Sequence, residues 1–293
     1  MIHKDSNFIT VGIPTYNSSK YLKSCLMSVL SLKKVNQIII SDDCSQIDEI
    51  EYIEKLLETI KQKTNKEIVF LKSKKNNGAY VNKYNLIEAC TNKFIYLLDS
   101  DNIAQKNLDR TINKILNTEN AENLLFQPNT MFQFWKYHKV ARFFSKFRKK
   151  YKVKFYSEDK IIDISYVKDS LILNSGDYDL TTLAKKNTNL TPQLHEDTLI
   201  DKWIFWVLNC GNFIVSKNKM LEVGKQGLKT KRQLRSVDAI VFSYLWLNSG
   251  LKIKILRKFY HHHRKRDDSV SFAEKDDSTE SIKYYIGEVL NKK

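Results

Sequence analysis

Residues 93–102 read K-F-I-Y-L-L-D-S-D-N, an apolar run that ends at two aspartates one residue apart. The block 94–98 shows no polar alternation, which predicts a strand buried on both faces of a mostly parallel sheet. Asp99 and Asp101 follow at its carboxyl end, where open α/β sheets place their ligand crevice. Two such carboxylates suit Mg²⁺ or Mn²⁺. A polar turn after a strand has the same composition, so the stretch alone leaves both interpretations open.

Strands and helices alternate along the first 127 residues. At this spacing the alternation is typical of a doubly wound, mostly parallel, Rossmann-like α/β sheet with right-handed crossovers. A second half of mixed α+β structure is expected to follow. The predicted strands are residues 8–13, 35–40, 67–71, 94–98, 123–127 and 251–256. The predicted helices are residues 22–30, 47–60, 80–90, 107–117, 239–247 and 281–290.

Polar clusters follow three of the predicted strands: T-Y-N at residues 15–17, S-D-D at 41–43 and D-S-D at 99–101. Because the carboxyl ends of parallel strands lie at the same edge of a sheet, we expect the clusters to converge into one cleft. The first hundred residues lack G-x-G-x-x-G and G-x-x-x-x-G-K-[ST], which excludes the simplest dinucleotide and P-loop sites.

Composition indicates a globular protein with an anionic partner. The 293 residues are 42% hydrophobic and 28% charged, and their net charge of +16 suits nucleic acid, anionic lipid or a phosphorylated substrate. No segment has the roughly 18 apolar residues that span a bilayer, and residues 1–17 lack a signal-peptide core, so we expect a cytoplasmic protein. The four scattered cysteines favour reduced core thiols over disulfides or zinc.

Four motifs in order resemble the nucleotide-sugar-binding half of a family 2 glycosyltransferase with the GT-A fold. They are I-P-T-Y-N at residues 13–17, I-I-I-S-D-D-C-S at 38–45, N-x-G at 76–78 and Y-L-L-D-S-D at 96–101. The resemblance implies a wall around the nucleotide base at residues 14–17, and a base-binding pair at residues 42–43. The donor residues that it implies are Pro14, Thr15, Tyr16, Asn17, Asp42, Asp43, Asn77, Gly78, Lys83, Asn85, Asp99, Ser100 and Asp101.

The resemblance also implies the metal ligands and the catalytic base. Asp99 would contact the ribose or the metal, and Asp101 would hold the divalent ion that bridges the phosphates. The stretch that begins at His263 resembles the family's flexible closing segment over the donor phosphates, so His263 is a third candidate metal ligand. Asp238, in the first turn of a predicted helix, would be the catalytic base, although the helix dipole alone also favours an acid there. The alternative bases are Glu196 and Asp197.

A basic aromatic segment, residues 132–156, interrupts this pattern. It contains nine Lys or Arg, ten aromatic residues and no acid. This composition suits an amphipathic helix on anionic lipid, and less well single-stranded nucleic acid or a solvated basic face. We therefore expect a donor half at 1–127, a basic insertion or membrane-surface arm at 128–160, an acceptor half at 161–272 and a C-terminal helix at 273–293.

The resemblance thus implies an inverting, metal-dependent enzyme that moves a sugar from a nucleoside diphosphate sugar, a UDP-sugar, to an acceptor hydroxyl. The acceptor is expected to be a saccharide or lipid-linked saccharide in surface polysaccharide or glycolipid assembly, at the inner face of the cell membrane. Two alternatives stay open. One is a nucleotidyltransferase, whose glycine-rich first loop is missing at residues 14–17. The other is a non-catalytic basic module that binds anionic membrane or nucleic acid.

Overall fold

The computed structural model of the protein describes residues 7–135, 150–166, 204–229 and 238–265. In these ranges ten strands form one sheet. The strands are β1 (Ile9–Thr15), β2 (Val35–Asp42), β3 (Glu67–Lys72), β4 (Phe94–Leu97), β5 (Ile103–Ala104), β6 (Leu124–Trp135), β7 (Lys150–Lys154), β8 (Lys160–Ile162), β9 (Ile214–Ser216) and β10 (Lys252–Lys265). The helices are α1 (Ser19–Leu30), α2 (Ile47–Lys61), α3 (Ala79–Ala89), α4 (Leu108–Leu116), α5 (Ile204–Leu208), α6 (Lys217–Gly224) and α7 (Asp238–Asn248). Short 3₁₀ turns cover Ala121–Asn123 and Lys225–Lys229.

The first half of the chain is a parallel sheet, as the alternation of elements predicts. The strands β3, β2, β1 and β4 lie side by side in that order, and every pairing among them is parallel. Helices connect consecutive strands, because parallel neighbours need a long crossover. The four predicted strands and the first four predicted helices are confirmed, with ends that differ by only a few residues.

Two apolar clusters cover the two faces of this sheet. In β4, Ile95 and Leu97 belong to one cluster, and Phe94 and Tyr96 belong to the other. All four side chains are essentially inaccessible to solvent. Since successive side chains of a strand point to opposite faces, a strand covered on both sides needs an unbroken apolar run. This is the physical reason for the sequence at residues 94–98.

The second half is a mixed sheet built on the long pair β6 and β10. The two strands are parallel to each other, and the short strand β9 connects β6 to β4 by antiparallel pairing. β6 begins at the predicted place but runs eight residues beyond the predicted end at 127, across the expected boundary between the first two regions. The difference arises because β10 pairs with β6 from its first residue to its last. The local sequence of β6 gives no sign of this pairing.

β10 also extends beyond its predicted end at residue 256. It continues through the three consecutive histidines to Lys265, so the stretch that resembles a flexible closing segment begins inside a strand at His263, and its residues 266–271 lie outside the described residues. Its register shifts between Leu256 and Tyr260 and then resumes, so that His261 pairs with Met131 of β6. On its other side His261 pairs with Ala104 of β5. Backbone pairing on both sides makes this stretch a strand of the sheet.

The ends of the basic aromatic segment are also strands, where a helix was expected. Residues 132–135 belong to β6, and β7 pairs with them in antiparallel register, with Phe132 opposite Lys152. Residues 136–149, Glu196, Asp197 and the predicted helix 281–290 lie outside the described residues. Within the described residues, no helix combines the length and the hydrophobicity needed to cross a membrane.

Candidate active site

The three polar clusters converge at the carboxyl edge of the parallel strands, as predicted. The Thr15 hydroxyl lies 2.9 Å from the Ser18 hydroxyl, which lies 2.8 Å from the hydroxyl of Ser100. The backbone N–H of Asp43 donates to the carbonyl oxygen of Thr15 at 3.0 Å. Hydrogen bonds therefore connect the cluster after β1 with the clusters after β2 and β4.

The acidic pair after β2 holds two loops in place. The Asp42 carboxylate accepts hydrogen bonds from the backbone N–H and the hydroxyl of Ser45. The Asp43 carboxylate accepts from the backbone N–H groups of Asn77 and Gly78, each at 2.8 Å. Burial raises the pKa of Asp43 although these hydrogen bonds oppose the shift. Both acids thus have structural partners, and their contact with a nucleotide base stays a prediction.

The segment after β1 forms an exposed rim beside this pair. Pro14 is half-buried within β1, and the Tyr16 ring is 44% exposed. Asn17 has a positive φ of 45°, and its side-chain oxygen accepts a hydrogen bond from the backbone N–H of Gln46 at 3.1 Å. The predicted wall residues are thus anchored at Asn17 and leave the Tyr16 ring accessible.

Lys83 of α3 lies at the centre of the cleft, between two acids. Its Nζ is 3.0 Å from Oδ1 of Asp99 and 2.8 Å from Oδ2 of Asp238, and its side chain is only 5% exposed. Asp99 follows β4, whereas Asp238 begins α7, so this contact joins the two halves of the chain. Asn85, the other helix residue predicted to bind the donor, is half-buried on the same helix. The predicted contact of Lys83 with a diphosphate stays a prediction, because the ammonium already has two carboxylate partners.

The three charges of this cluster affect one another strongly. Burial alone would lower the pKa of Lys83, but the carboxylates of Asp238 and Asp99 together raise it above its usual value. Burial would raise the pKa of Asp99, but Lys83 outweighs burial and lowers it. For Asp238 burial dominates and raises the pKa despite the contact with Lys83. Asp238 is therefore the acid of the cluster with the higher affinity for a proton.

Two residues that the motifs did not include, Asn212 and Gly211, lie beside Asp99. Asn212, just before β9, accepts a hydrogen bond from the backbone N–H of Asp99 at 2.9 Å and donates to its Oδ2 at 3.2 Å. Gly211 allows Lys83 to reach the cluster, because a Cβ there would lie 2.7 Å from the Lys83 Nζ. The C-G-N sequence at 210–212 was the available signal, but only its glycine suggested a close approach.

Arg264 fastens the D-S-D turn. Its Nε donates to the carbonyl oxygen of Asp101 at 3.1 Å, and its backbone N–H donates to the side-chain oxygen of Asn102 at 3.1 Å. The guanidinium lies 4.9 Å from the centre of the Tyr21 ring in α1. The arginine thus connects β10, α1 and the turn after β4.

The three consecutive histidines face opposite sides of β10. The rings of His261 and His263 are 5.8 Å apart on the side of Asp99, and the pKa of Asp99 is lowered by both. The His262 ring packs 5.4 Å from Phe132 instead. Burial lowers the pKa of His261 to about 3, so this ring is neutral at physiological pH. Because neighbouring side chains of a strand alternate between its two faces, the three histidines cannot all reach the same site.

The donor set partly fits a divalent metal ion. Within the described ranges, no group of three or more His, Cys, Asp or Glu is placed to hold one, so Asp99, Asp101 and His263 do not form the predicted three-ligand site. The two carboxylate oxygens of Asp99 contact Lys83 and Asn212 instead. Mg²⁺, however, usually takes only one or two protein carboxylates together with substrate phosphates. The two acids of the D-S-D turn fit an ion that arrives with a diphosphate.

The fold and the cleft place the protein in the GT-A class of α/β folds. Its structure is similar to the crystal structure of S. aureus TarS 1-349 in complex with UDP-GlcNAc, with a TM-score of 0.55 and 16% sequence identity. The similarity covers 96% of this chain and 66% of that chain. At this identity the comparison concerns the fold alone.

Sequence comparison identifies the family. The sequence profile of glycosyl transferase family 2 matches residues 10–167, more than half of the chain, and the protein belongs to this family. This match confirms the resemblance found in the motifs, and the family is one of transferases. Two relatives are each 25% identical over 215 residues. They are the SPbeta prophage-derived glycosyltransferase SunS of Bacillus subtilis (strain 168) and the glycosyltransferase SunS of Bacillus phage SPbeta.

These alignments include 69% of this chain and 49% of each relative. The chain therefore spans about half the length of the curated relatives that it matches.

Proposed function

We propose that the protein is an inverting glycosyltransferase that moves a sugar from a UDP-sugar to an acceptor hydroxyl. The observation that carries the proposal is the cluster of Asp99, Lys83 and Asp238. In this cluster an acid from the polar strand ends lies beside an acid that begins α7. A displacement at a sugar carbon needs these two functions next to each other: a site for the leaving diphosphate and a base for the attacking hydroxyl.

The donor proposal rests on the cleft and on the relatives. The linked clusters after β1, β2 and β4 form a polar crevice at the edge where open α/β sheets bind nucleotides. The TarS structure of similar fold is a complex with UDP-GlcNAc. We extend that nucleotide class to this protein, with the exposed Tyr16 ring and Asp43 as the groups beside the base.

The proposed chemistry is a single displacement. Asp238 takes the proton of the acceptor hydroxyl, and the oxygen attacks the anomeric carbon from the face opposite the leaving group. The bond from that carbon to the diphosphate oxygen breaks, and the electron pair leaves with the nucleoside diphosphate. Lys83 keeps Asp238 ionised at the start of the reaction, whereas burial raises the proton affinity that a base needs.

Metal dependence is part of the proposal. Asp101 and Asp99 would hold a Mn²⁺ or Mg²⁺ ion carried by the diphosphate, which would supply positive charge beside the leaving phosphates. The support is the chemistry of the two carboxylates and their place at the carboxyl end of β4.

The acceptor and the location are proposed from charge. The net charge of +16 and the basic aromatic composition of residues 132–156 suit a peripheral protein on the inner face of the cell membrane. There the acceptor would be a lipid-linked saccharide of a surface polysaccharide or a glycolipid.

The protein should pellet with anionic liposomes, and substitution of Lys146, Arg148, Lys149 and Lys150 by Glu should abolish pelleting. An unchanged pelleted fraction, or no pelleting of the native protein, would contradict this part.

Thermal stabilisation by nucleotides tests the donor and the metal together. Native protein and Asp101→Ala are heated with UDP, UDP-GlcNAc, UDP-glucose and GDP-mannose, with and without Mn²⁺. A ligand at a hundred times its dissociation constant adds roughly 2.7 kcal/mol to the free energy of unfolding. We expect a UDP-sugar to stabilise the native protein in the presence of Mn²⁺ and to lose this effect in Asp101→Ala. If no nucleotide stabilises the native protein, the proposed function is wrong.

A further inference from the structure

Asn212 connects the acid of the donor half to the second half of the sheet. Its side chain lies between Asp99 and His261 and is almost completely buried. The oxygen Oδ1 accepts the backbone N–H of Asp99 at 2.9 Å. The nitrogen Nδ2 lies 3.2 Å from Oδ2 of Asp99 and 3.4 Å from Nε2 of His261. One amide thus contacts both the main chain and the carboxylate of the same aspartate.

The hydrogen-bonding groups determine the orientation of this amide. A backbone N–H can only donate, so the oxygen of Asn212 must face Asp99 N. The two N–H groups of the amide then point towards Asp99 Oδ2 and His261 Nε2, and both of these atoms must accept. A neutral His261 accepts at Nε2 only when its proton is on Nδ1.

This tautomer of His261 leaves a buried N–H group, at Nδ1, without a hydrogen-bond partner among the described residues. A buried donor without a partner lowers stability. The ring is nevertheless placed so that its other nitrogen accepts from Asn212, which indicates that orienting the amide is what the position contributes.

We propose that Asn212, oriented by His261, is a positioning residue that holds Asp99 in the geometry needed to bind the donor. The inference rests on the proposed function. Asp99 has Lys83 at its Oδ1 and Asn212 at its Oδ2, and its side chain is still 33% exposed. The contacts fix the carboxylate and leave one side of it accessible from the cleft. Asn212, just before β9, and His261, in β10, therefore determine the position of a donor-site carboxylate that belongs to the first half.

Donor binding by four variants tests this role. Asn212→Leu keeps the branched shape and removes both amide contacts, and His261→Phe keeps a ring without Nε2. His261→Gln is the conservative variant, because its side-chain oxygen can accept in place of Nε2. The matched control is Asn92→Leu. Asn92 is an equally buried amide at the amino end of β4, where it donates to the Thr10 hydroxyl at 2.9 Å.

We measure the dissociation constants of UDP and UDP-GlcNAc by titration and the Tm of each variant. Asn212→Leu should bind about 10–100-fold more weakly, as is usual when a group that orients a ligating residue is lost. His261→Phe should bind about tenfold more weakly, and His261→Gln should recover part of this loss. Asn92→Leu should lower the Tm and leave the dissociation constants unchanged.

The outcomes separate this inference from the proposed function. If the native protein binds neither ligand, the proposed function is wrong and the inference falls with it. If the native protein binds and folded Asn212→Leu binds equally well, only the positioning role is overturned. Should Asn212→Leu fail to fold, His261→Phe decides: a weaker affinity supports the role, and an unchanged affinity overturns it.

Discussion

The parallel strands β1–β4 and the long pair β6 and β10 differ in what determines where each strand ends. In the first group, β1, β2 and β4 each end at a short polar cluster, and the apolar residues of each strand lie close to that cluster. β6 instead continues beyond its apolar beginning through polar and aromatic residues, and β10 continues beyond residue 256 through charged and aromatic residues. The first group is specified locally by its sequence, whereas the second is specified by the pairing of two strands with each other.

The candidate active site contains residues from the parallel strands and from the second half of the chain. The parallel strands bring the polar clusters that suit a nucleotide to one edge. The second half supplies Asp238, Asn212 and His261, which contact that edge from the other side. Changes in the second half should therefore affect chemistry or geometry at Asp99, although none of these residues belongs to the donor motifs.

The largest expected effect is on turnover by Asp238→Asn. The amide cannot take the proton of the acceptor, so kcat should fall about 10²–10⁴-fold. The dissociation constant of the donor should change little. Release of UDP from the donor that stabilises the native protein measures turnover. Asp159→Asn, which alters an ion pair with Lys114 away from the cleft, is the control. Full turnover in Asp238→Asn would show that another acid is the catalytic base, and Glu196 and Asp197 would be the next candidates.

Lys83→Met tests the contact between the two halves through stability. The substitution leaves the buried Asp238 and the partly exposed Asp99 without their cation, which should cost about 3–5 kcal/mol of the free energy of unfolding. The same substitution at Lys72, whose ion pair with Glu54 is about half exposed, should cost about 0–1 kcal/mol. Urea unfolding measures both. Equal losses in the two variants would mean that the cluster in the cleft does not stabilise the fold.

Gly227→Ala tests the packing that holds α3 against the second half. A Cβ at this position would lie 2.2 Å from the ring of Tyr80. That ring cannot easily move, because it stacks on Phe242 with centres 4.1 Å apart and its hydroxyl donates to Gly224 O. The loss in stability should be about 1–3 kcal/mol. Gly224→Ala, where the nearest atom would be 3.3 Å away, should lose less by the same urea assay.

The smallest expected effect is a shift in the pH profile of kcat. Asp238 must be ionised to act as a base, and burial raises its pKa against the opposing charge of Lys83, with Asp99 adding to the rise. Turnover should therefore be lost as the pH falls through a value above the usual 3.9 or so of an aspartate. An acid limb at or below that value would show that a different group, with an ordinary pKa, controls the reaction.

Much of the parallel half could be predicted from the sequence, since its signals are local. The apolar block at 94–98 and the polar clusters at 15–17, 41–43 and 99–101 each lie within a few residues. The first-turn position of Asp238 follows equally from the apolar helix behind it. The predictions that differ from the structure concern the second half: β10 runs past its predicted end at residue 256, and the described ends of the basic aromatic segment are strands.

The sequence by its own patterns determined the class of sheet, the edge that carries the site and the family. Periodicity and short motifs record these features, because they depend on neighbours along the chain. Only the tertiary structure decided the partners of the functional side chains. Asn212 meets Asp99 across 113 positions, and Lys83 meets an acid from each half. Such contacts depend on how the two halves pack, and no local pattern of apolar and polar residues encodes them.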